Sequence, residues 1–374
     1  MVGRMTGTTQ KLGLLALLVG LCPETSAAAS AAASADGEST SAADELTAYV
    51  QKTMALLHPS SAAIVVSVGQ QIVFERYLPG SFEGLPETVV DENSLWALAS
   101  ATKSYGAAIL LMLVHEGVVG LDDPVSEYLP LFEQPGDGPF ARTAVTLRHL
   151  ASHTSGLGHR ARTQDTPPDS AIVLTEPGVD FQYSWLGVHM LERAIEAATG
   201  EDYERLLHRK LLEPMALQAT RFVYEPDPDL QLMPCIAGDY EDPARHYAWS
   251  HIGGRISSGL LATARDVNHF GQLWAFEGTL RGHTYFTPEL ARQAWTHHGT
   301  RAFDNGAYGL LWWLFPEEEG YVMSGATHTV SAVVPADHAV VTVMRNYIAA
   351  PAPEFSFYED KLALVRFAKQ FARE

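Results

Sequence analysis

Ser100 and Lys103 are the residues of this sequence whose types and spacing most directly indicate chemistry. Three residues apart on a helix, their side chains share one face, with about 5–6 Å between the Cβ atoms. The run from Ser100 to Glu116 is apolar almost all round, which predicts a buried helix. At the start of such a helix, the helix dipole and the loss of water both lower the pKa of a lysine. A partly neutral Lys103 could then take the proton of Ser100 and make it a nucleophile.

The backbone of Ser100 could serve the same chemistry. Because the first N–H groups of a helix have no partner within it, the Ser100 N–H can face a developing oxyanion. The same spacing also occurs where a serine only caps a helix and a lysine extends its amine to solvent. The pair therefore indicates a nucleophile only together with further residues.

Two further segments supply what such a nucleophile needs. The first, Phe181 to Gly187, precedes a predicted helix and contains Tyr183. A nearby lysine cation would lower the pKa of the Tyr183 hydroxyl, which could then act as base for Ser100 and as acid to the leaving group. The second, Tyr321 to Ala326, lies on a predicted strand, where Gly325 would let a substrate approach the backbone closely. Taken singly, the two segments fit equally well with a packed tyrosine and an ordinary strand.

The elements that must position these residues are strands near both ends of the chain and helices between them. Six strands are predicted, over Ala62–Val68, Gln71–Arg76, Gly309–Phe315, Tyr321–Ser324, Val330–Pro335 and Ala339–Arg345. Six helices are predicted, over Asp44–Leu57, Ser100–Glu116, Thr146–Ser152, Val188–Thr199, Ala264–Phe276 and Tyr358–Ala372. This order favours one sheet built from both termini, an inserted helical region and a cleft between the two lobes.

Several segments in a fixed order carry a family resemblance. They are Trp96–Lys103, Gly120–Val125, Thr146–Leu157 with its sequence TLRHLASHTSGL, Gly253–Asp266 and Tyr308–Trp313. Together they resemble the serine hydrolase family of class C β-lactamases, D-Ala-D-Ala peptidases and related esterases and amidases, from about residue 48 to about residue 346. The resemblance implies an α+β fold of the β-lactamase/transpeptidase type in a single domain over residues 44–374. A mixed α/β lobe with a central antiparallel sheet would carry an inserted all-helical lobe over roughly residues 120–260.

The resemblance also implies a role for each residue of the site. Ser100 would be acylated, with Lys103 as its proton partner and Tyr183 as the general base and acid. The N–H groups of Ser100 and Ala326 would form the oxyanion hole. The substrate would be held by the third motif and by aromatic walls of the cleft, namely Ser324, Gly325, Trp185, Tyr308, Trp312 and Trp313. His153 would be structural, and the resemblance implies neither a metal nor a cofactor.

Two positions depart from the family's pattern. Its second motif usually reads Tyr-x-Asn, and here the third residue is Trp185, whose indole donates one hydrogen bond and accepts none. Its third motif usually begins with Lys or His, and here it begins with Met323, which offers no charge to a substrate carboxylate. Both changes argue against a β-lactamase or a D-Ala-D-Ala carboxypeptidase, whose substrates carry that carboxylate. They favour the esterase and amidase branch, with a small ester, amide or peptide-like substrate.

Composition and the amino terminus indicate where this chemistry takes place. The 374 residues carry a net charge of -19, which argues against nucleic acid or anionic lipid as a partner. Residues 1–35 are typical of a signal peptide and a small-residue linker, and the apolar run Leu12–Leu21 is too short to span a bilayer. We therefore expect an exported protein, periplasmic or secreted, with a lipid anchor at Cys22 as an alternative. Cys235 would then be alone in the mature chain, so no intramolecular disulfide is expected.

Two functions of different class remain open on the sequence alone. The first is a serine hydrolase of the esterase or amidase type that forms an acyl-enzyme on Ser100. The second is a relative that keeps the fold but only binds a ligand or partner, which the loss of two polar motif positions would also suit. A metal hydrolase has no support, because the sequence lacks a His-Glu-x-x-His motif and a cysteine cluster, and no Gly-x-Ser-x-Gly motif indicates an α/β-hydrolase.

Overall fold

The computed structural model describes residues 40–57, 60–80, 89–158, 171–222, 228–233, 256–300, 307–347 and 352–374. The residues from Thr40 to Glu374 belong to one compact unit. The predicted leader with Cys22 lies outside the described residues, as do Cys235 and the Gly253-Gly254 pair. None of the helices in the described ranges is long and apolar enough to cross a bilayer.

Seven antiparallel strands from both ends of the chain form the main sheet, in the order β2-β1-β12-β11-β10-β9-β8. In chain order the strands are β1 Ala62–Val68, β2 Gln71–Leu78, β3 Ser94–Ala97, β4 Gln231–Leu232, β5 Leu261–Ala262, β6 Thr279–Leu280, β7 His283–Thr284, β8 Ala307–Tyr308, β9 Trp313–Phe315, β10 Gly320–Ser324, β11 Val330–Val334 and β12 Ala339–Arg345. The pairing of Ala62 with Arg345 and of Val68 with Ala339 joins the first strand to the last. The predicted sheet built from both termini is therefore confirmed.

Helices cover both faces of this sheet. They are α1 Ala42–Leu56, α2 Thr102–His115, α3 Leu147–Ala151, α4 Trp185–Thr199, α5 Tyr203–Leu207, α6 Ala264–Ala275, α7 Pro288–Ala294 and α8 Phe357–Phe371. Helices α1 and α8 lie on one face and α6 on the other, while α2 to α5 belong to the segment between β2 and β8. Successive side chains of β1 point to opposite faces of the sheet. Ile64 belongs to the core under α8, and Val65 belongs to the core on the side of α2 and α6.

Most predicted elements are confirmed at their ends as well as in type. Gly200, at φ +67°, ends α4, and the Thr263 side chain caps α6 by accepting from the Asp266 N–H. The predicted strand Gly309–Phe315 is confirmed only over Trp313–Phe315, which form β9, and is wrong over its first four residues. Leu311 adopts φ +59° in a turn between β8 and β9, which is closed by a hydrogen bond from the Gly309 N–H to the Trp312 carbonyl.

A buried ion pair fastens α8 to the sheet. The Arg345 guanidinium on β12 is fully buried and donates to both carboxylate oxygens of Asp360 on α8, at 2.8 and 3.1 Å. The Tyr49 hydroxyl on α1 also donates to Asp360, at 3.1 Å. Three elements from the two ends of the chain therefore share one carboxylate.

We expect Asp360→Ala to lower the free energy of unfolding by about 3–5 kcal/mol, because it leaves the buried Arg345 charge with only the neutral partners His328 and Thr53. The measurement is equilibrium urea unfolding followed by circular dichroism. The control is Glu318→Ala, which removes the carboxylate that pairs with Arg366 at the surface and should cost at most about 1 kcal/mol. A loss for Asp360→Ala no larger than for the control would contradict this account of the pair.

Candidate active site

The candidate nucleophile lies where the short strand β3 turns into α2. Ser100 is the middle residue of a 3-10 turn, Ala99–Ala101, which leads directly into the helix. Ala99 adopts φ +46°, a left-handed conformation that costs free energy for any residue except glycine. The turn leaves the Ser100 N–H without a backbone acceptor among the described residues, as expected at a helix start.

Lys103 lies beside Ser100 and is almost wholly enclosed. Its Nζ is 3.1 Å from the Ser100 Oγ and donates to the carbonyl oxygen of Ser257 at 2.6 Å. The side chain is only 1% exposed, and no carboxylate within the described ranges forms an ion pair with it. Burial alone lowers the pKa of Lys103 to about 7, which confirms the predicted direction. About half of the amine is therefore neutral at neutral pH.

Two aromatic rings from the start of α4 close over the lysine. The Nζ of Lys103 lies 4.4 Å from the ring of Trp185 and 5.1 Å from the centre of the Tyr183 ring. Ser184 caps α4 by accepting from the Gly187 N–H at 2.9 Å, which fixes the backbone between the two rings. Where the family usually has an asparagine oxygen, Trp185 offers only the face of its ring, a weaker partner for the ammonium.

Tyr183 contacts the same hydroxyl from another side. Its side chain is hydrogen-bonded to Ser100, and burial raises the pKa of Tyr183 to about 12 although that hydrogen bond lowers it. The expectation that the lysine lowers the tyrosine pKa is therefore wrong. Loss of water outweighs the hydrogen bond with Ser100, so Tyr183 stays a neutral phenol at neutral pH.

His153 holds the segment that carries Tyr183. Its Nδ1 accepts a hydrogen bond from the Ser184 N–H at 3.1 Å, and its carbonyl accepts from the Gln182 N–H at 2.8 Å. Its ring centre lies 4.3 Å from that of Tyr183. These contacts fit the structural role expected of His153, because they fix the backbone on either side of the tyrosine.

Strand β10 comes close to the nucleophile because Gly325 follows it. A Cβ at Gly325 would overlap the carbonyl oxygen of Leu98, so the close approach requires glycine there. The Thr327 hydroxyl adds a hydrogen bond to the Ala97 carbonyl, at 2.9 Å. Ala326 is exposed, and its N–H has no backbone acceptor in the part of the chain that the structure describes. The half-buried Ser324 stands next to this approach.

Of the three aromatic residues predicted on Tyr308–Trp313, two differ from expectation. Trp312 is fully buried and packs on Trp274 with 4.9 Å between ring centres, so it is a core residue and not a wall of the cleft. Tyr308 is 2% exposed and packs 5.1 Å from His153, behind Tyr183. Its neighbour Trp313 is half-buried, and its ring lies nearly parallel to that of Tyr183 at 6.4 Å, so it is the one of the three that can still line the cleft.

The position of Met323 shows why the third motif has lost its charge. Its side chain is 1% exposed and belongs to the core on the side of α2 and α6. A methionine there adds to packing and presents no cation at the end of β10. The Ser257 carbonyl, which the sequence did not identify, lies in the segment just before β5. The Leu260 N–H of this segment donates to the Thr102 hydroxyl on α2.

Several known proteins are similar to this chain in sequence. The sequence model of the family described as Beta-lactamase matches residues 46–355. The D-alanyl-D-alanine-carboxypeptidase/endopeptidase AmpH of Escherichia coli (strain K12) is 30% identical over 227 residues, 56% of this chain and 56% of its own length. Esterase EstB of Burkholderia gladioli is 31% identical over 156 residues, 35% of this chain and 39% of its own length. The chain thus aligns with about half or less of the length of these curated relatives.

Solved structures extend the likeness to nearly the whole chain. EstCE1, described as a hydrolase with promiscuous acyltransferase activity, has a TM-score of 0.67 at 18% identity, covering 87% of this chain and 98% of its own. A family VIII carboxylesterase has a TM-score of 0.68 at 15% identity, covering 88% and 96%. At such identities the likeness shows the fold, and it confirms the predicted α+β architecture. With the match over residues 46–355, it shows that the chain belongs to the beta-lactamase family.

Proposed function

We propose that this protein is a serine hydrolase that forms an acyl-enzyme on Ser100 and cleaves small esters or amides. The observation that carries the proposal is the buried amine of Lys103, 3.1 Å from the Ser100 Oγ, with its pKa lowered to about 7. A base of that strength is half deprotonated at neutral pH and can accept the hydroxyl proton without a charged partner. A protein that only binds a ligand has no need of an amine held in this state.

The geometry supports different proton-transfer roles for Lys103 and Tyr183. Neutral Lys103 takes the proton of Ser100 while the Oγ bonds to the substrate carbonyl carbon, and the N–H groups of Ser100 and Ala326 receive the oxyanion. Tyr183, a neutral phenol hydrogen-bonded to Ser100, gives its proton to the leaving alkoxide or amine as the acyl bond breaks. The Lys103 ammonium then returns a proton to the tyrosine. In deacylation, water takes the place of the leaving group and the proton transfers run in reverse.

The esterase and amidase branch is the better candidate for the substrate. Met323 is buried and Trp185 offers a ring face, so neither motif position provides a hydrogen-bond acceptor or a cation for a substrate with a free carboxylate next to the scissile bond. EstB is named an esterase, and EstCE1 is described as a hydrolase with promiscuous acyltransferase activity. The 30% identity with AmpH favours a D-Ala-D-Ala carboxypeptidase as the second candidate. Faster cleavage of a D-alanyl-D-alanine peptide than of a neutral ester would select it.

Export to the periplasm or the medium is part of the proposal and depends on the predicted leader.

Ser100→Ala should abolish turnover of p-nitrophenyl esters and leave the fold intact, because only the attacking oxygen is lost. A fluorophosphonate probe, followed by peptide mass spectrometry, should modify Ser100 in the unaltered protein and nothing in the variant. The matched control is Ser104→Ala, one turn further along the same helix, which should keep both the label and the activity. Absence of any adduct on the unaltered protein at high probe concentration would favour the ligand-binding relative instead.

The pH dependence of hydrolysis should report Lys103. Because only the neutral amine is a base, kcat/KM should be flat above the pKa of about 7 and fall about tenfold per pH unit below it. Lys103→Met should lower kcat/KM by about 100-fold to 10,000-fold above neutral pH and remove this dependence, so the difference from the unaltered protein should shrink as the pH falls. The measurement is a pH–rate profile with an activated ester between about pH 5 and about pH 9. A profile without an inflection near neutrality, or a fast Lys103→Met variant, would contradict the assignment.

Tyr183→Phe should affect substrates according to their leaving groups. A p-nitrophenolate departs without a proton, so an aryl ester should lose little rate, whereas an alkyl ester or an anilide should lose about 100-fold or more. The measurement is kcat/KM for an aryl and an alkyl ester with the same acyl group. Tyr105→Phe is the matched control, since the Tyr105 hydroxyl is buried on α2 and has no hydrogen-bond partner among the residues that the structure describes. Equal losses on both esters would mean that the phenol does not protonate the leaving group.

A further inference from the structure

A second concave site lies between the edge of the sheet and the first turn of α8. It is a cavity of about 290 Å³ whose lining includes Trp313 and Phe315 of β9 and, on the side of α8, Ser356, Phe357, Tyr358 and Lys361. None of Ser100, Lys103 and Tyr183 lines it. The three residues proposed to carry out the reaction therefore give this cavity no role.

Lys361 is a buried cation in this cavity without an anion. Its side chain is only 9% exposed, and its Nζ lies 4.0 Å from the ring of Trp313. Across the described residues no acceptor forms a hydrogen bond or an ion pair with it, and the neighbouring Asp360 carboxylate is taken by Arg345 and Tyr49. Burial lowers the pKa of Lys361 to about 8, although the charge of the nearby Asp360 carboxylate raises it, so the amine is still mostly charged at neutral pH. A buried charge with no directly bonded anion is costly, and an anionic ligand in contact with the amine would reduce that cost.

The start of α8 offers further partners for the same anion. The Ser356 side chain caps this helix of 15 residues by accepting a hydrogen bond from the Glu359 N–H. The Asp360 N–H donates to the Ser356 carbonyl. The N–H groups of Phe357 and Tyr358 have no acceptor within the described structure, and both residues line the cavity. Free N–H groups and the positive end of the helix dipole favour a negative charge at this place.

The remaining walls are aromatic, which restricts the kind of anion. Trp313, Phe315, Phe357 and Tyr358 line the cavity, and the last two are partly exposed at its mouth. Flat apolar walls hold a hydrocarbon or aromatic body better than a fully hydrated inorganic ion. The volume of about 290 Å³ is at the small end of ligand sites and suits a molecule of the size of benzoate or a short fatty acid.

We propose that this cavity binds the carboxylate of a small organic acid, with Lys361 and the first N–H groups of α8 as partners of the anion and the aromatic walls around the apolar body. The carboxylate has two possible sources, a free acid or the far end of an ester substrate. The second source rests on the proposed function, and it is favoured by Trp313, whose ring lies parallel to that of Tyr183 and also contacts Lys361. Such a substrate would carry its charge at a distance from the scissile bond.

The first arm of the test measures binding and needs no turnover. Benzoate and hexanoate are titrated into the full chain by calorimetry, with benzyl alcohol and hexanol as neutral analogues. Lys361→Met should weaken carboxylate binding about tenfold or more, and Lys361→Arg should retain most of it. The matched control, Lys369→Met, removes a cation from the same helix outside the cavity and should bind as the unaltered protein does. Binding should also persist after Ser100 is blocked with a fluorophosphonate. Carboxylate binding that is absent, or equal in the unaltered and Lys361→Met proteins, would overturn the proposal.

The second arm distinguishes the two sources. Hydrolysis of a p-nitrophenyl monoester of adipic acid is compared with that of its methyl-capped analogue. If the substrate supplies the carboxylate, Lys361→Met lowers kcat/KM for the acidic ester about tenfold and leaves the capped ester unchanged. If the rate ratio does not change while benzoate binding still depends on Lys361, the ligand is a free acid. Failure of both esters to react with any variant would refute the proposed function, and the binding arm would still decide the cavity.

Discussion

A lysine amine kept out of water beside a serine hydroxyl is the interaction on which the rest of this structure depends. Lys103 is 1% exposed, and its partners within the described residues are a hydroxyl, a carbonyl and two aromatic rings, none of them charged. A buried lysine in such surroundings avoids the cost of desolvation by giving up its proton, which lowers its pKa to about 7. A carboxylate at the same place would restore the charge, and the amine would then be a poor base.

The architecture supplies these uncharged partners from segments that are far apart in the sequence. The turn before α2 brings Ser100, and the first turn of α2 brings Lys103. The segment before β5 brings the Ser257 carbonyl, and the segment that leads into α4 brings Tyr183 and Trp185. Strand β10 approaches from the main sheet, because Gly325 leaves room for the turn that carries the nucleophile. A site built in this way needs the sheet and the helical segment to form together, since neither contains all of its groups.

Much of this could be predicted from the sequence where a local rule determines the outcome. The Thr263 cap and the Gly200 stop each fix a helix end through local chemistry, and the spacing of Ser100 and Lys103 predicts that their side chains lie close together. The rest depends on tertiary packing. Alternation along a short strand does not show which of Trp312 and Trp313 faces the core, and the left-handed Leu311 that breaks that strand carries no glycine signal. The tyrosine pKa is set by burial, which spacing alone does not reveal. A backbone acceptor such as the Ser257 carbonyl has no sequence signature.

The protonation state of Lys103 in the resting protein is the central claim, and it can be measured without any substrate. An NMR titration of protein labelled with 13C-lysine follows the Cε signal of Lys103, which is assigned by its absence in Lys103→Arg. The account predicts a titration midpoint near the pKa of about 7. A midpoint above about 10, the range of a lysine in water, would show that the amine is charged at neutral pH and would contradict its role as the base for Ser100.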